Sequence, residues 1–339
     1  MQNILVTGGA GYIGSHTVVE LHNAGYNPII VDNLSNSRKS VLTGLKNITG
    51  KDFAFYKVDC NDKEAFRQVF KDHQISGVIH FAAYKAVGES VAKPLEYYEN
   101  NVGSLMTLIR LMKEEGVEKL IFSSSCTVYG QPDQLPVTEQ SPKKTAESPY
   151  GNTKQVCEEI IEDTSVSDKS FRAIALRYFN PVGAHPSSEI GELPLGVPNN
   201  LVPFITQTAA GWREQLTVFG DNYDTKDGSC VRDYIHVVDL AKAHVKSLEY
   251  LTQHSDLSFD IFNIGTGHGN TVLEIVNTFE EVSGTKLNYK IGDRRSGDIE
   301  KIYADVTKST KVLGWKTEKS LRDSLQDSWN WQLTLKKEV

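Results

Sequence analysis

The sequence predicts an α/β protein built on a doubly wound parallel sheet with a smaller mixed α/β C-terminal domain, and three observations carry that expectation. Through the first half of the chain, short apolar runs alternate with stretches of helical periodicity, as parallel strands joined by crossover helices require. Glycines at 8, 11 and 14 stand directly between the first apolar run and the first helical stretch. After Asn180 the texture changes: Pro181, Pro186, Pro194, Pro198 and Pro203 crowd together with Gly183, Gly191 and Gly196. Long irregular segments inside compact proteins tend to carry function. The expected division is residues 1–180 for a nucleotide-binding part and 181–339 for the smaller domain, with the chain crossing between them more than once.

Each element has its own signal. Residues 4–7 form a continuous apolar run, the mark of a strand buried on both faces, and a helix follows over 13–24. A second strand over 28–32 is stopped by the turn-forming run Asn33-Leu34-Ser35-Asn36-Ser37. Residues 53–58 alternate as a third strand and close on Asp59. A fourth strand covers 78–82 and a fifth 120–124; between them, 95–115 carries apolar residues at helical spacing. Ser148 supplies an N-cap and Pro149 a first helical position, so a helix starts near Tyr150. Residues 173–178 form a sixth strand. Downstream, helices over 200–211, 238–251 and 272–283 mix with strands over 216–219 and 260–264.

Composition narrows the function classes. The 339 residues are 39% hydrophobic and 23% charged, an ordinary globular balance. With 36 Lys and Arg against 43 Asp and Glu the net charge is −7, so binding to nucleic acid or an anionic membrane, which needs a basic field, is excluded. Anionic ligands must instead be met by a few placed arginines. Cys60, Cys126, Cys157 and Cys230 are too scattered for a disulfide framework, and none forms the CxxC pair of a zinc site. No metal is expected. The N-terminus has no signal-peptide pattern, and no stretch approaches the ~20 apolar residues of a membrane span. A cytoplasmic, reducing location is the expectation.

The glycine spacing describes a Rossmann-type dinucleotide site. Glycine allows the tight turn, the approach of backbone to a pyrophosphate, and close helix–strand packing. Free N–H groups at the helix N-terminus and the helix dipole then favour the anion. Asp32 ends the second strand, 18 residues beyond Gly14, where a carboxylate accepts both ribose hydroxyls and repels a 2′-phosphate. NAD is therefore favoured over NADP, although Arg38-Lys39 nearby are cations that could serve a phosphate. Asp59 sits where it meets an adenine edge or simply closes a turn.

Tyr150 and Lys154 stand four apart, on one face of the predicted helix. A phenolate base at pH 7 needs about 4 kcal/mol of differential stabilisation, which an adjacent ammonium and an oxidised nicotinamide ring supply. Ser123-Ser124-Ser125 follows the fifth strand, and strand C-termini are where such folds place ligands. Of the three, Ser125 is the candidate to hydrogen-bond the substrate hydroxyl that Tyr150 deprotonates.

With these residues in place the chain resembles the extended short-chain dehydrogenase/reductase family, and within it the branch that epimerises UDP-sugars at C4. The supporting stretches are TGGAGYIGS at 7–15, KAVGESV at 85–91, KPLEYY at 93–98, FSSSCTVYG at 122–130, RYFNPVGAHP at 177–186 and VRDYIHVVDL at 231–240. RYFNPVGAHP followed by Asn199-Asn200-Leu201 is the most specific of them. The resemblance implies that Tyr12, Ile13, Asp32, Asn33, Asn36, Ser37, Asp59, Cys60, Phe81, Ala82, Ala83, Lys85, Asn100, Lys154 and Phe179 line the NAD site. It implies that Asn180, Asn200, Leu201, Thr217, Val218, Phe219, Arg232, Tyr234, Arg295 and Asp298 hold the UDP-sugar, with Lys85, Ser125 and Tyr150 also reaching it. It further implies that UDP-galactose and UDP-glucose interconvert through a 4-keto sugar on NAD that stays bound, in galactose metabolism. A homodimer is implied as well, and the helices over 95–115 and from Tyr150 are its expected interface. Ile302 occupies the position beside the sugar's 2-substituent; it is neither bulky nor small by the family's pattern, which leaves N-acetylated sugars open.

Competing chemistries are separated by single positions. Dehydratases and decarboxylases of the same fold carry an acid just before the VYG triplet, where elimination needs a proton donor; here Cys126-Thr127 stand there. A non-catalytic NAD sensor has no use for the Tyr150, Lys154 and Ser125 set. A simple dehydrogenase that releases reduced cofactor is excluded by no single residue.

Overall fold

The computed structural model describes residues 1–295 and 298–335. The first half delivers β1 (Asn3–Thr7), α1 (Tyr12–Asn23), β2 (Asn27–Val31), α2 (Ser40–Thr49), β3 (Ala54–Tyr56), α3 (Lys63–Asp72) and β4 (Ile75–His80). There follow α4 (Val87–Ala92), α5 (Pro94–Glu114), β5 (Lys119–Ser123), α6 (Pro149–Ser167) and β6 (Arg172–Tyr178). Among the described residues the main sheet has seven strands, in the order β3-β2-β1-β4-β5-β6 and then β11 (Phe259–Ile264), and every pairing is parallel.

Burial on both faces explains the apolar runs. In β1, Ile4 and Val6 point into a core shared with Val18 and Leu21 of α1, while Leu5 points to the opposite core with Phe66, Leu105 and Leu108. Successive side chains of a strand alternate faces, so a strand covered on both sides must be apolar throughout. The strand order reverses at β1, between β2 and β4, and the crevice beyond those strand ends is where a doubly wound sheet binds its ligand.

The remaining elements are β7 (Asn180–Val182), α7 (Leu201–Ala209), β8 (Leu216–Phe219), β9 (Val231–Arg232), β10 (Tyr234–His236), α8 (Val237–Gln253), β12 (Asn270–Thr271), α9 (Val272–Ser283), β13 (Tyr289–Gly292), β14 (Lys301–Ile302), α10 (Thr307–Leu313) and α11 (Leu321–Thr334). They form small sheets, β7–β10, β8–β13 and β12-β9-β14, over a third core that includes Val202, Ile205, Val218, Phe279 and Leu325.

Two elements grouped above with the C-terminal part lie elsewhere. The strand over 260–264 is β11, paired in parallel with β6, and α8 packs on α1 beneath the main sheet. Phe262 and Ile264 point into the core that Ile4 and Val6 share, and Asn263, on the opposite face, is fully buried as well, so the strand is covered on both faces. The third strand is also shorter than its alternating stretch, covering Ala54–Tyr56.

Candidate active site

The glycine turn is built as its spacing requires. Gly8 turns with φ +67°, and its N–H donates to the Val31 carbonyl at 2.7 Å. A Cβ at Gly14 would lie 2.2 Å from the Gly8 carbonyl oxygen, and one at Gly8 would lie 2.9 Å from the Ala82 nitrogen. α1 begins at an extended Gly11 with no side-chain cap, which leaves its first N–H groups directed at the crevice. Asp32 accepts from the Ala10 N–H at 3.1 Å and the Ser37 hydroxyl at 2.8 Å, tying the end of β2 to the turn. Asp59 accepts from Asn33 at 3.0 Å and from the Asn61 N–H at 2.8 Å. Partial burial raises its carboxyl, but these donors outweigh that and hold it below its ordinary range.

At the other end of the crevice, the Ser148 hydroxyl caps α6 by accepting from the Gly151 N–H. The first two turns of α6 carry Tyr150 and Lys154 one above the other. Lys154 Nζ donates to the Ser123 carbonyl at 2.6 Å and sits 4.9 Å from the Phe122 ring centroid and 6.0 Å from that of Tyr150. Burial lowers its ammonium to about 8. Burial also pushes the Tyr150 hydroxyl far above its ordinary value, with Tyr178 adding to the rise and a hydrogen bond with Ser125 opposing it. Tyr150 is thus neutral until further positive charge comes beside it.

Behind this pair lies a buried ionic support. Glu158, one turn beyond Lys154, accepts from the Ser124 hydroxyl at 2.6 Å and from Arg177 Nε and Nη2 at 2.9 and 2.6 Å. The Arg177 guanidinium lies 4.9 Å from the Tyr129 ring centroid. Burial pushes the Glu158 carboxyl up, but Arg177 and Ser124 prevail and hold it low.

A cavity of about 820 Å³ joins the two ends. Its walls include Gly8, Gly11, Tyr12, Ile13, Gly14, Asp32, Asn33, Asn36, Ser37, Asp59, Cys60, Phe81, Ala82, Ala83, Lys85, Asn100, Tyr150, Lys154 and Asn200. Ser125 is buried and its hydroxyl accepts from the Thr127 N–H at 3.2 Å. Phe179 is buried in a small cluster with Cys126, Tyr129 and Ile302 rather than at the wall. A second group lies outside the cavity lining: Arg295 Nε donates to Asp298 at 3.0 Å, Arg232 approaches Asp298 at 3.9 Å, and the Arg295 guanidinium lies 4.8 Å from the Phe219 ring centroid. Thr217, Val218 and Phe219 form β8, which pairs with β13. Burial pushes the Tyr234 hydroxyl up to about 12, with Arg232 and Arg295 among the charges acting on it. Asn180 begins β7, and Leu201 opens α7. The Arg232 charge also opposes the burial that raises the Cys126 thiol.

Tyr178 and Glu192 are among the wall residues that sequence reasoning passes over, and Ser123 is one it weighs and sets aside for Ser125. Ser123 and Tyr178 line the cavity, with their hydroxyls 2.6 Å apart. Glu192 lines it too, in the proline- and glycine-rich segment whose irregularity was the available signal. Among the described residues, no group of three or more His, Cys, Asp or Glu side chains is placed to hold a metal, and no helix is long and apolar enough to cross a membrane.

A family model described as GDP-mannose 4,6-dehydratase matches residues 5–328. The UDP-glucose 4-epimerase of Bacillus subtilis is 53% identical over 329 residues, covering 97% of this chain and 96% of that protein. The chain belongs to the UDP-glucose 4-epimerase family. The Drosophila melanogaster member is 52% identical over 335 residues, covering 97% of this chain and 96% of that protein. Among solved structures, UDP-glucose 4-epimerase from Bifidobacterium longum in complex with NAD+ and UDP superposes with a TM-score of 0.94 at 48% identity, covering 98% of both chains. The Stenotrophomonas maltophila enzyme with bound NAD and formylated UDP-arabinopyranose gives 0.95 at 45% identity, again covering 98% of each.

Proposed function

We propose that the protein interconverts UDP-galactose and UDP-glucose by inverting C4 of the sugar, as an isomerase of galactose metabolism working on tightly bound NAD. The observation that supports this best is the placement of Tyr150 and Lys154 on the wall of the same cavity that the glycine turn opens into. The residues present fit NAD. The Gly8–Gly14 contact leaves a cradle that a Cβ would fill, the uncapped start of α1 offers N–H groups to a pyrophosphate, and the Asp32 carboxylate stands where the adenosine ribose would lie. When bound, NAD supplies the hydride acceptor that makes a 4-keto sugar and the donor that reduces it from the other face.

The chain's own residues do the rest. Tyr150 takes the proton of the 4-hydroxyl and returns it. Lys154 lies against the Tyr150 ring and favours the phenolate, and Ser125 holds the hydroxyl in line. Arg232 and Arg295 pair with the pyrophosphate as guanidinium groups pair with planar anions. Phe219, Thr217 and Val218 hold the uridine end, and Asn180, Asn200, Leu201, Tyr234 and Asp298 complete the enclosure. Residues 1–180 serve mainly the cofactor and 181–339 mainly the UDP-sugar, with α8 and β11 returning to the cofactor's sheet. We assign a homodimer through α4, α5 and α6, where Val91 and Leu95 are 63% and 72% exposed. We assign a cytoplasmic location, supported by four buried free cysteines.

The test mixes purified protein with UDP-galactose, without added NAD, and follows UDP-glucose. Protein that carries NAD yet forms no product refutes the epimerase reading; reduced NAD accumulating in step with substrate loss favours a dehydrogenase. Tyr150→Phe keeps NAD and loses about 10²–10⁴-fold in turnover. Unchanged turnover removes Tyr150 from the mechanism.

A further inference from the structure

Glu192 links the two halves of the cavity in a way that the reaction itself does not require. Its backbone is clamped on α11: the Trp331 indole N–H donates to the Glu192 carbonyl at 3.0 Å, and a Cβ on Gly191 would come within 2.5 Å of the Trp331 ring. From that anchor the side chain reaches inward. A single carboxylate oxygen accepts from Lys85 Nζ at 3.2 Å and from Asn200 Nδ2 at 2.6 Å. Lys85 comes from the loop after β4, and Asn200 is the residue before α7. The Glu192 side chain is only 12% exposed, so this charge is held in place rather than waving in solvent. All three residues share the cavity wall with Tyr150.

The consequence is electrostatic. Without Glu192, this stretch of wall would present a cation and an amide donor, a ready receptor for a carboxylate. With it, the cation is neutralised and an acceptor faces the cavity. A sugar hydroxyl suits such a wall, because it donates to the carboxylate and accepts from the ammonium or amide. A sugar carboxylate only accepts; it finds no donor in Glu192, competes for the same two donors, and adds a like charge in a confined space.

Inverting C4 sharpens the effect. The ring must offer both faces to one fixed hydride site, and this carries the C6 substituent through the cavity between two poses. A C6 substituent is therefore carried past more of the wall than a single pose would bring it against, and the wall that Lys85, Glu192 and Asn200 share with Tyr150 is part of it.

We infer that Glu192 is a specificity-determining residue: held between Lys85 and Asn200, its carboxylate admits UDP-sugars with a neutral C6 alcohol and turns away those with a carboxylate at C6. This rests on the UDP-sugar reading above.

The experiment titrates UDP-glucose and UDP-glucuronate separately into NAD-loaded protein by calorimetry, for the wild type, Glu192→Gln and Glu192→Asp. NAD content and melting temperature are recorded for each. The wild type should bind UDP-glucose at least about tenfold more tightly. Glu192→Gln, which frees Lys85 and leaves the shape nearly unchanged, should move the ratio about tenfold toward UDP-glucuronate. Glu192→Asp, which keeps the charge, should keep the wild-type preference. An unchanged ratio in Glu192→Gln overturns the inference, as does Glu192→Asp behaving like Glu192→Gln, which would mean that shape rather than charge excludes the acid. Equal binding of both ligands by the wild type overturns it whatever the variants do, including a variant that fails to fold. Failure of the UDP-sugar reading would show separately, as wild-type protein that binds neither ligand.

Discussion

Replacing Gly14 by alanine tests the cofactor site at its tightest contact. The added carbon would lie 2.2 Å from the Gly8 carbonyl oxygen, 2.8 Å from the Gly9 Cα and 3.0 Å from the Gly8 carbonyl carbon. All three are backbone atoms of the turn that crosses from β1 to α1, so no side chain can rotate away. Ordinary contact requires α1 and the turn to part by about 1 Å, and overpacking of this kind costs about 1–3 kcal/mol. The upper end applies here because nothing flexible absorbs the shift. A displacement of about 1 Å also moves the N–H groups of α1 away from the pyrophosphate, and losing one or two hydrogen bonds to that anion at about 1.5 kcal/mol each weakens NAD about 10–100-fold. The assay is NAD content after gel filtration, together with scanning calorimetry. Gly14→Ala should lose its NAD and melt about 5 °C lower. Gly11→Ala, whose Cβ would meet the Gly8 oxygen at 3.1 Å, should show a weaker form of both effects, and Gly88→Ala, with nothing within 4 Å, neither. Gly14→Ala protein with a full complement of NAD and an unchanged melting temperature would refute the cradle.

Other expectations follow from the same geometry. Burial holds the Lys154 ammonium near 8 against 10.5 in the unfolded chain, so between those values the unfolded state binds more protons and stability rises with pH. Lys154→Met should abolish that rise in pH-dependent melting, and in the intact protein kcat/KM should fall as pH climbs past about 8. Glu158→Gln strands the buried Arg177 and should cost about 3–5 kcal/mol in urea unfolding, while the double change Glu158→Leu with Arg177→Met should recover most of it. Val91→Glu with Leu95→Glu should turn a dimer into a monomer by light scattering; a wild type that is already monomeric would remove α4 and α5 as an interface.

The parts legible in the sequence are those where burial is complete. Strands β1, β2, β4, β5 and β6 are buried on both faces, so a period of two is unnecessary and a short run rich in Ile, Leu, Val and Ala identifies them, the exception in β6 being Arg177, which Glu158 pairs. The helices that sequence reading leaves unassigned are half-solvated. α3 buries only Phe66, Val69 and Phe70 among charged neighbours, and α11 is mostly polar, although its capping box of Ser320 and Asp323 was a usable signal. The two-residue strands β9, β12 and β14 have no local signature, because their pairing is set by the elements they join. Asp233 shows how: fully buried, it accepts from the N–H groups of Thr266, Gly267 and Ala304 and so draws the flanks of β9 and β14 together. The same limit applies to the site. Tyr150 and Lys154 are one helical turn apart and visible as a pair, whereas Glu192, Lys85 and Asn200 meet only through the packing of Trp331 under Gly191.

The family model bears the name of a dehydratase, and the relatives above bear that of an epimerase; both begin by making a 4-keto sugar. What separates them is what the ketone meets next. Elimination needs a group that protonates a departing hydroxyl, and at the place beside the VYG triplet this chain offers Cys126 and Thr127. Burial pushes the Cys126 thiol up to about 12, too weak an acid to serve, and the Thr127 hydroxyl is buried with no hydrogen-bond partner among the described residues. Ile302 lies with Cys126 in the same buried apolar cluster. On the mechanism proposed above, the Tyr150 hydroxyl carries the proton taken from the 4-hydroxyl and is the group placed to pass it back, to the oxygen at C4. In this cavity reduction of the ketone is the course with a proton donor in place, and a ring free to turn between the two hydride transfers then yields the epimer.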